Sequence, residues 1–244
     1  MNMLREKTLA QIVIDYPETA TVFDKFDIDF SCHGNDTIET ACRGDQFKVD
    51  SLQSELLIQI KTGNHYGSVF NPDEVSLSAL SNHIVQEHHN YVRSTLPILL
   101  VHAFQVSDMY GQQYPELIEI KQLLTALRAE FEHHMMKEEE IVFPRIRKIE
   151  EVYLNTAIDV DFKLRLLYDP LKVLSREHVN SDKVFHQIRR LAGNYIAPEN
   201  AGTLHILFLK ELKQFETDMH LHVHLENNIL FPKVEAMVRE LTGI

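Results

Sequence analysis

Two segments of the chain repeat one chemical pattern. His134-Met-Met-Lys-Glu138 is followed by Ile141, Phe143 and Pro144, and His222-Val-His-Leu-Glu226 by Ile229, Phe231 and Pro232. Counted from the histidine, both carry Glu at +4, Ile at +7, Phe at +9 and Pro at +10. The match extends back to Leu127 and Phe215 at −7 and to Phe131 and Met219 at −3. Residues four apart on an α-helix differ by about 40° around the axis and about 6 Å along it. Each histidine therefore points the same way as its glutamate. Both pairs fall on apolar stripes, Ile120, Leu127, Phe131 and Ile141 in one segment and Leu204, Phe208, Phe215 and Ile229 in the other. A histidine and a carboxylate inside an apolar seam are strongly unfavourable unless compensated. A metal ion compensates both pairs at once.

A metal site inside a bundle draws ligands from every helix. His178 is in phase with Leu171, Leu174 and Phe185, and an earlier helix offers His88 or His89. His89 lies closer to the centre of the seam through Val85, Val92, Leu96 and Ala103. The spacing agrees: 45 residues separate His89 from His134, and 44 separate His178 from His222. Each half of the chain thus supplies His and then His-x-x-x-Glu, a duplicated helix pair with an approximate two-fold axis. The expected ligands are His89, His134, Glu138, His178, His222 and Glu226, two imidazoles per metal with both carboxylates bridging. Such a donor set with open positions suits iron, manganese less well, and zinc least, since zinc favours single tetrahedral sites. A ferritin-like centre needs Glu-x-x-His on two helices; only Glu130-x-x-His133 fits, and it has no counterpart in the last helix. His88, His133, His220 and His224 are expected off the centre. His220 and His224 lie about 160° from His222 on the helical wheel and are expected to form an outward pair on the surface. His33 and His102 read as ordinary polar or supporting residues.

These residues need long helices to position them. The apolar periodicity predicts helices over about 77–109, 115–143, 171–191 and 201–231, with a loop and short helix near 149–170. Four long amphipathic helices make an all-α four-helix bundle over 76–244. Residues 1–62 read as a small helical domain. Pro17 opens one segment, Gly34-Asn35-Asp36 makes a turn, Thr37 caps a helix through Cys42, and Asp50 caps one through Leu57. The polar, Gly- and Pro-punctuated stretch 63–75 reads as a linker.

Composition narrows the function. Fourteen histidines in 244 residues exceed ordinary usage, and most fall in helical patterns. A net charge of −12 without a dense basic cluster argues against a nucleic-acid groove. No apolar run reaches signal-peptide or bilayer length, so a cytoplasmic protein without membrane contact is expected. Two cysteines, Cys32 and Cys42, are too few for a disulfide framework and are expected as thiols.

At the ligand residues the chain resembles the hemerythrin-like fold and, more closely, the iron-sulfur cluster repair di-iron proteins, the repair-of-iron-centres family. The likeness spans nearly the whole chain. HHNYVRSTLP resembles the family's first ligand helix with His89 as ligand, HMMKEEEIVFP and HVHLENNILFP its two His-x-x-x-Glu segments, and SREH its third helix through His178. The resemblance implies two non-haem iron ions with an oxo or hydroxo bridge, and recovery of iron–sulfur clusters after nitrosative or oxidative damage. Residues 1–62 resemble the family's small N-terminal helical domain, where Asp-Tyr-Cys-Cys-Gly-Gly is typical; here the run is Asp29-Phe30-Ser31-Cys32-His33-Gly34, with Ser31 for the first cysteine. A second departure is Met109-Tyr110-Gly111, where the family often has Val-His-Gly.

Three functions suit one such centre. The first is cluster repair, donating iron or electrons to damaged iron–sulfur proteins. The second is binding or sensing of dioxygen or nitric oxide, and the third is redox catalysis such as nitric oxide reduction. The small domain with Cys32 favours repair, since a plain binder does not need it. Cys32 itself reads equally as a half-buried structural thiol or as a redox or iron-handling thiol. A second copy of the chain is an optional partner.

Overall fold

Residues 4–62, 75–154 and 168–242 are described by the computed structural model, and helices dominate them. No strand occurs among the described residues; one isolated bridge joins Thr8 and Thr37. The expected linker lies outside them except for Val75, as does most of the loop expected near 149–170.

The N-terminal domain holds α1 (Leu9–Asp15), α2 (Ala20–Lys25), α3 (Ile38–Ala41) and α4 (Gln46–Thr62). Thr8 and Gln11 cap α1 reciprocally, each side chain accepting from the other's backbone N–H at 3.2 and 3.0 Å. Pro17 opens a short 3₁₀ turn before α2, and Thr37 caps α3. The last helix begins earlier than expected. Asp45, not Asp50, accepts from the backbone N–H of Lys48 at 3.2 Å, and Asp50 lies within α4, paired with Arg5 at 2.8 Å. Leu9, Ile12, Phe23, Phe30, Ile38 and Leu52 fill this domain's own core.

The bundle comprises α5 (Leu77–His83), α6 (Asn90–Tyr110), α7 (Glu116–Lys137), α8 (Phe143–Leu154), α9 (Tyr168–Leu191), α10 (Thr203–Leu225) and α11 (Phe231–Thr242). Wide π-helical turns join α5 to α6 over Ile84–His89, α7 to α8 over Glu138–Val142, and α10 to α11 over Glu226–Leu230. Around the bundle, α6 packs on α7 and α10, and α9 closes the ring against both.

The expected helix ends at about Phe143 and Phe231 fall just before Pro144 and Pro232, but both rods continue for a further 12-residue helix. A proline inside a helix lacks a donor and presses on the carbonyl four residues back. Here the turn before it is widened: Phe143 N–H bonds Glu138 O, and Phe231 N–H bonds Glu226 O, each spanning five residues. The wider turn makes room for the ring. It also inserts one residue into the helical phase, which overturns part of the expected stripe: Ile141 is 43 % exposed, while Val142 and Phe143 are buried.

Two apolar clusters result. One gathers Leu96, Leu127, Phe131, Phe185, Phe208 and Phe215; the other gathers Ile84, Phe143, Ile146, Leu174, Phe231 and Val234. The histidines and glutamates of interest occupy the layer between them. No helix among the described residues is long and apolar enough to cross a membrane.

Candidate metal centre

The six residues expected as ligands come together. His89 ends the first π turn, His178 sits midway along α9, and each His-x-x-x-Glu pair straddles the junction of a long helix with its π turn. Glu138 and Glu226 are fully buried, and none of the four histidines exceeds 8 % exposure. His89, Glu138, His222 and Glu226 form one set of potential ligand atoms; His134, Glu138, His178 and Glu226 form a second, with atoms within 4.8 Å of one another in each. The facing imidazole nitrogens approach closely, His89 Nε2 to His222 Nε2 at 3.2 Å and His134 Nε2 to His178 Nε2 at 2.9 Å. Glu138 reaches both sets, Oε1 lying 3.0 Å from His134 Nε2 and Oε2 3.3 Å from His89 Nε2. Glu226 does the same, at 3.2 Å from His178 and 3.2 Å from His222.

This arrangement fits cations. None of the four carboxylate oxygens of Glu138 and Glu226 receives a properly directed hydrogen bond, although a buried carboxylate without donors is strongly disfavoured. Burial pushes the Glu226 carboxyl up, but His222 and His178 outweigh it and hold it well below the usual range. Burial and the neighbouring Glu226 push Glu138 up, and His134 and His89 bring it below its ordinary value. Both are therefore anionic near neutrality. Burial lowers His134, yet the charge of Glu138 pushes it up to about 10. Two carboxylates that draw protons onto His134 and His89 bind a divalent cation in exchange for those protons.

Three of the imidazoles are held from behind, by residues that the sequence reading passed over. His89 Nδ1 lies 2.6 Å from Glu139 Oε1, which also accepts from Arg93 at 2.6 Å. His178 Nδ1 lies 3.0 Å from Asn227 Oδ1. His134 Nδ1 lies 2.8 Å from Glu177 Oε2, whose other oxygen pairs with Lys137. Such partners fix the ring and its tautomer. The repeat carried the signal, because Glu139 and Asn227 occupy the same +5 position after His134 and His222.

The expectation for His220 and His224 needs correction. Both point away from the centre, but into the N-terminal domain and not to solvent: they are 7 % and 2 % exposed. His220 Nδ1 lies 2.7 Å from Asp24 Oδ1, and Phe30 packs on both rings. Beside them Arg189 donates to Glu216 at 3.1 and 3.2 Å, to Asp24 O at 3.0 Å and to Asp27 Oδ1 at 2.8 Å. A helical wheel gives a direction; only the docked domain says what lies there. His88 is off the centre as expected, with Nδ1 3.1 Å from Asp218, and His133 is exposed. His102 pairs with Glu211 at 2.6 Å and His33 with Asp29 at 2.7 Å.

Docking brings Cys32 and Ser31 to a cavity of about 20 Å³, which they line with His134, His178 and His222. Burial pushes the Cys32 thiol up, reinforced by Asp29 and Asp182, so it stays protonated at neutral pH. A protonated thiol is a poor nucleophile. Tyr110 stands at the far end of α6, about 30 Å along the helix from His89. There its ring stacks on His205 at 6.0 Å and covers Gly202, where a Cβ would meet the hydroxyl at 2.2 Å.

The sequence is similar to those of known proteins along nearly its whole length. Residues 80–234 match the family described as hemerythrin HHE cation binding domain, and residues 5–58 match a domain of unknown function, ScdA_N. An iron-sulfur cluster repair protein, YtfE, of Enterobacter sp. (strain 638) is 27 % identical over 234 residues, covering 95 % of this chain and 98 % of the relative. The iron-sulfur cluster repair protein ScdA of Staphylococcus haemolyticus is 28 % identical over 228 residues, 93 % of this chain and 97 % of its own. A probable iron-sulfur cluster repair protein of Haemophilus influenzae is 28 % identical over 231 residues, 94 % and 96 % of the two chains. With the buried His/Glu layer, the helical bundle around it and a family match across most of its length, this chain belongs to the hemerythrin HHE cation-binding family.

Proposed function

We propose that the chain holds two iron ions, one in each ligand set, and serves the repair of damaged iron–sulfur clusters by supplying iron or electrons. The observation that carries this reading is the pair of buried glutamates, each reaching both sets of imidazoles with no hydrogen-bond donor of its own. The relatives named as cluster repair proteins support it, since they align with the N-terminal domain as well as the bundle. His89, His134, His178 and His222 supply neutral nitrogen donors and Glu138 and Glu226 the balancing charge; iron bound there supplies redox activity and an exchangeable metal. The apolar clusters on either side keep bulk water from the layer. The free thiols of Cys32 and Cys42 suit a reducing, cytoplasmic setting.

The test is reactivation of a cluster enzyme inactivated by nitric oxide. Iron-loaded protein should restore it and metal-free protein should not, with about two irons per chain by elemental analysis. Recovery that persists in Glu138→Ala and Glu226→Ala proteins lacking metal would sink the repair reading. A second reading, binding of dioxygen or nitric oxide, is favoured by the small cavity beside the imidazoles. Phe131, Phe185 and Met219 give it an apolar wall, and its volume suits a molecule of water size. Tight reversible gas binding without any cluster recovery would select it.

A further inference from the structure

The approximate two-fold axis gives every imidazole a counterpart, His89 matching His178 and His134 matching His222. The supports behind the rings follow the same symmetry. The residue after each bridging glutamate holds the lone histidine of a neighbouring helix, Glu139 for His89 and Asn227 for His178. The residue before each lone histidine should then hold the histidine of the His-x-x-x-Glu pair. Glu177 does so, 2.8 Å from His134 Nδ1. The counterpart of Glu177 is His88. Its ring lies parallel to that of His222 at 5.5 Å and 9°, with Nδ1 turned to Asp218. His222 Nδ1 therefore has no hydrogen-bond partner, although the residue is 1 % exposed.

Loss of such a support weakens metal affinity by about 10- to 100-fold. One half of the centre has both imidazoles supported, and the other has one. We infer that the halves bind iron unequally: the His134–His178 half fills first and keeps its ion, and the His89–His222 half carries the exchangeable one. The inference rests on the two-iron repair reading and extends it, making one ion resident and the other cargo. Glu177 is a positioning residue in this scheme, and His88 takes the matching place without supporting its imidazole. A hollow of about 230 Å³ borders His134 and Glu177, giving solvent a shorter approach to the tighter half. Approach sets rates and not equilibria, so occupancy at equilibrium is the quantity that decides.

The experiment equilibrates fully loaded, full-length protein with graded concentrations of a ferrous chelator and measures iron per chain. Anomalous scattering at the iron edge, from crystals of half-depleted protein, locates the ion that remains. The expected result is two steps about 10- to 100-fold apart in chelator concentration, with the retained ion between His134 and His178. Glu177→Ala should merge the steps by weakening the tighter ion. Glu177→Gln, whose amide oxygen still accepts from Nδ1–H, should restore part of the separation. His88→Gln should strengthen the weaker step. Two ions leaving wild-type protein in one step, or an ion retained between His89 and His222, overturns the inference while leaving cluster repair standing. Protein that never takes up more than one ion overturns the two-iron reading and this inference with it.

Discussion

Replacing Arg189 by Met should destabilise the protein by an amount that depends on pH in a calculable way. In the native chain the guanidinium, with the His220 imidazolium, supplies the positive charge against Glu216, which is 2 % exposed. Burial already pushes Glu216 above its ordinary value, with His220 and Arg189 pulling the other way. Without Arg189, the carboxyl escapes burial as an anion by taking a proton. Holding that proton at pH 7 on a group of ordinary value 4.5 costs up to about 3.4 kcal/mol at 1.36 kcal/mol per pH unit. The lost bonds to Asp24 O and Asp27 add about 1 kcal/mol, net of what Met packing returns. The total is at most about 4.4 kcal/mol at pH 7, in the range for breaking a buried ion pair. The sign follows from proton linkage. In the variant the folded carboxyl binds protons more tightly than the unfolded one, so lowering the pH stabilises the variant relative to wild type. The deficit should shrink by up to about 1.4 kcal/mol per unit between pH 7 and 5, less where the raised native carboxyl also takes up protons. Urea unfolding followed by circular dichroism at pH 7, 6 and 5, on both proteins in parallel, reads this difference. A deficit below about 1 kcal/mol at pH 7, or one that does not change with pH, would refute the reasoning. So would failure of the Arg189→Met, Glu216→Gln double variant to recover stability at pH 7.

Glu138→Ala should deplete both metal positions, because its oxygens reach both sets, whereas His222→Ala should deplete chiefly one; elemental analysis of the purified variants distinguishes them. Truncation to begin near residue 71 should keep the metal, since all six ligands lie beyond it, but lower the melting temperature by stripping cover from His220, His224 and Arg189. Loss of both helicity and metal would show that the N-terminal domain belongs to the bundle's folding unit. The domain contact should be firmest between about pH 4 and 6.5. Burial pushes Asp24 up and His220 more than reverses it, so this lowered carboxylate stabilises the contact above its ordinary value of 3.8, an effect lost as pH falls. Burial lowers His220, but its hydrogen bonds to Asp182 and Asp24 push it up to about 10, so it stabilises the contact fully below its ordinary 6.5 and ceases to as pH rises through about 10. Hydrogen exchange in α2 across this range would register the window.

The six residues of the buried His/Glu layer were legible in the sequence because helical phase and an internal repeat are local properties. Two His-x-x-x-Glu segments and two lone histidines at matched spacing name all six residues without knowledge of the fold. What was not legible depends on contacts distant in the chain. His220 and His224 were directed correctly away from the metal layer, yet their burial depends on Asp24 and Phe30, nearly two hundred residues earlier. The helix ends were misjudged for a different reason. Proline normally terminates a helix, and only the five-residue hydrogen bond before it shows that these helices continue. Ile141 then reads as core by regular periodicity and stands exposed in fact. The placement of Asp45 as the cap of α4 was a local signal, overlooked in favour of Asp50.

The π turns set a condition on transplanting this centre into another scaffold. Glu138 N–H still bonds His134 O, and Glu226 N–H bonds His222 O, across the regular four residues, so a straight designed helix would reproduce each pair faithfully. It would not reproduce the helix beyond the turn. Omitting the extra residue rotates everything downstream by about 100° and shifts it about 1.5 Å, aiming Phe143, Ile146 and Ile149 away from the core they now fill. A graft limited to the six ligands would thus carry the donors but lose the floor beneath them. Its smallest faithful unit extends through Pro144 and Pro232, where the turn has closed and the next helix has begun.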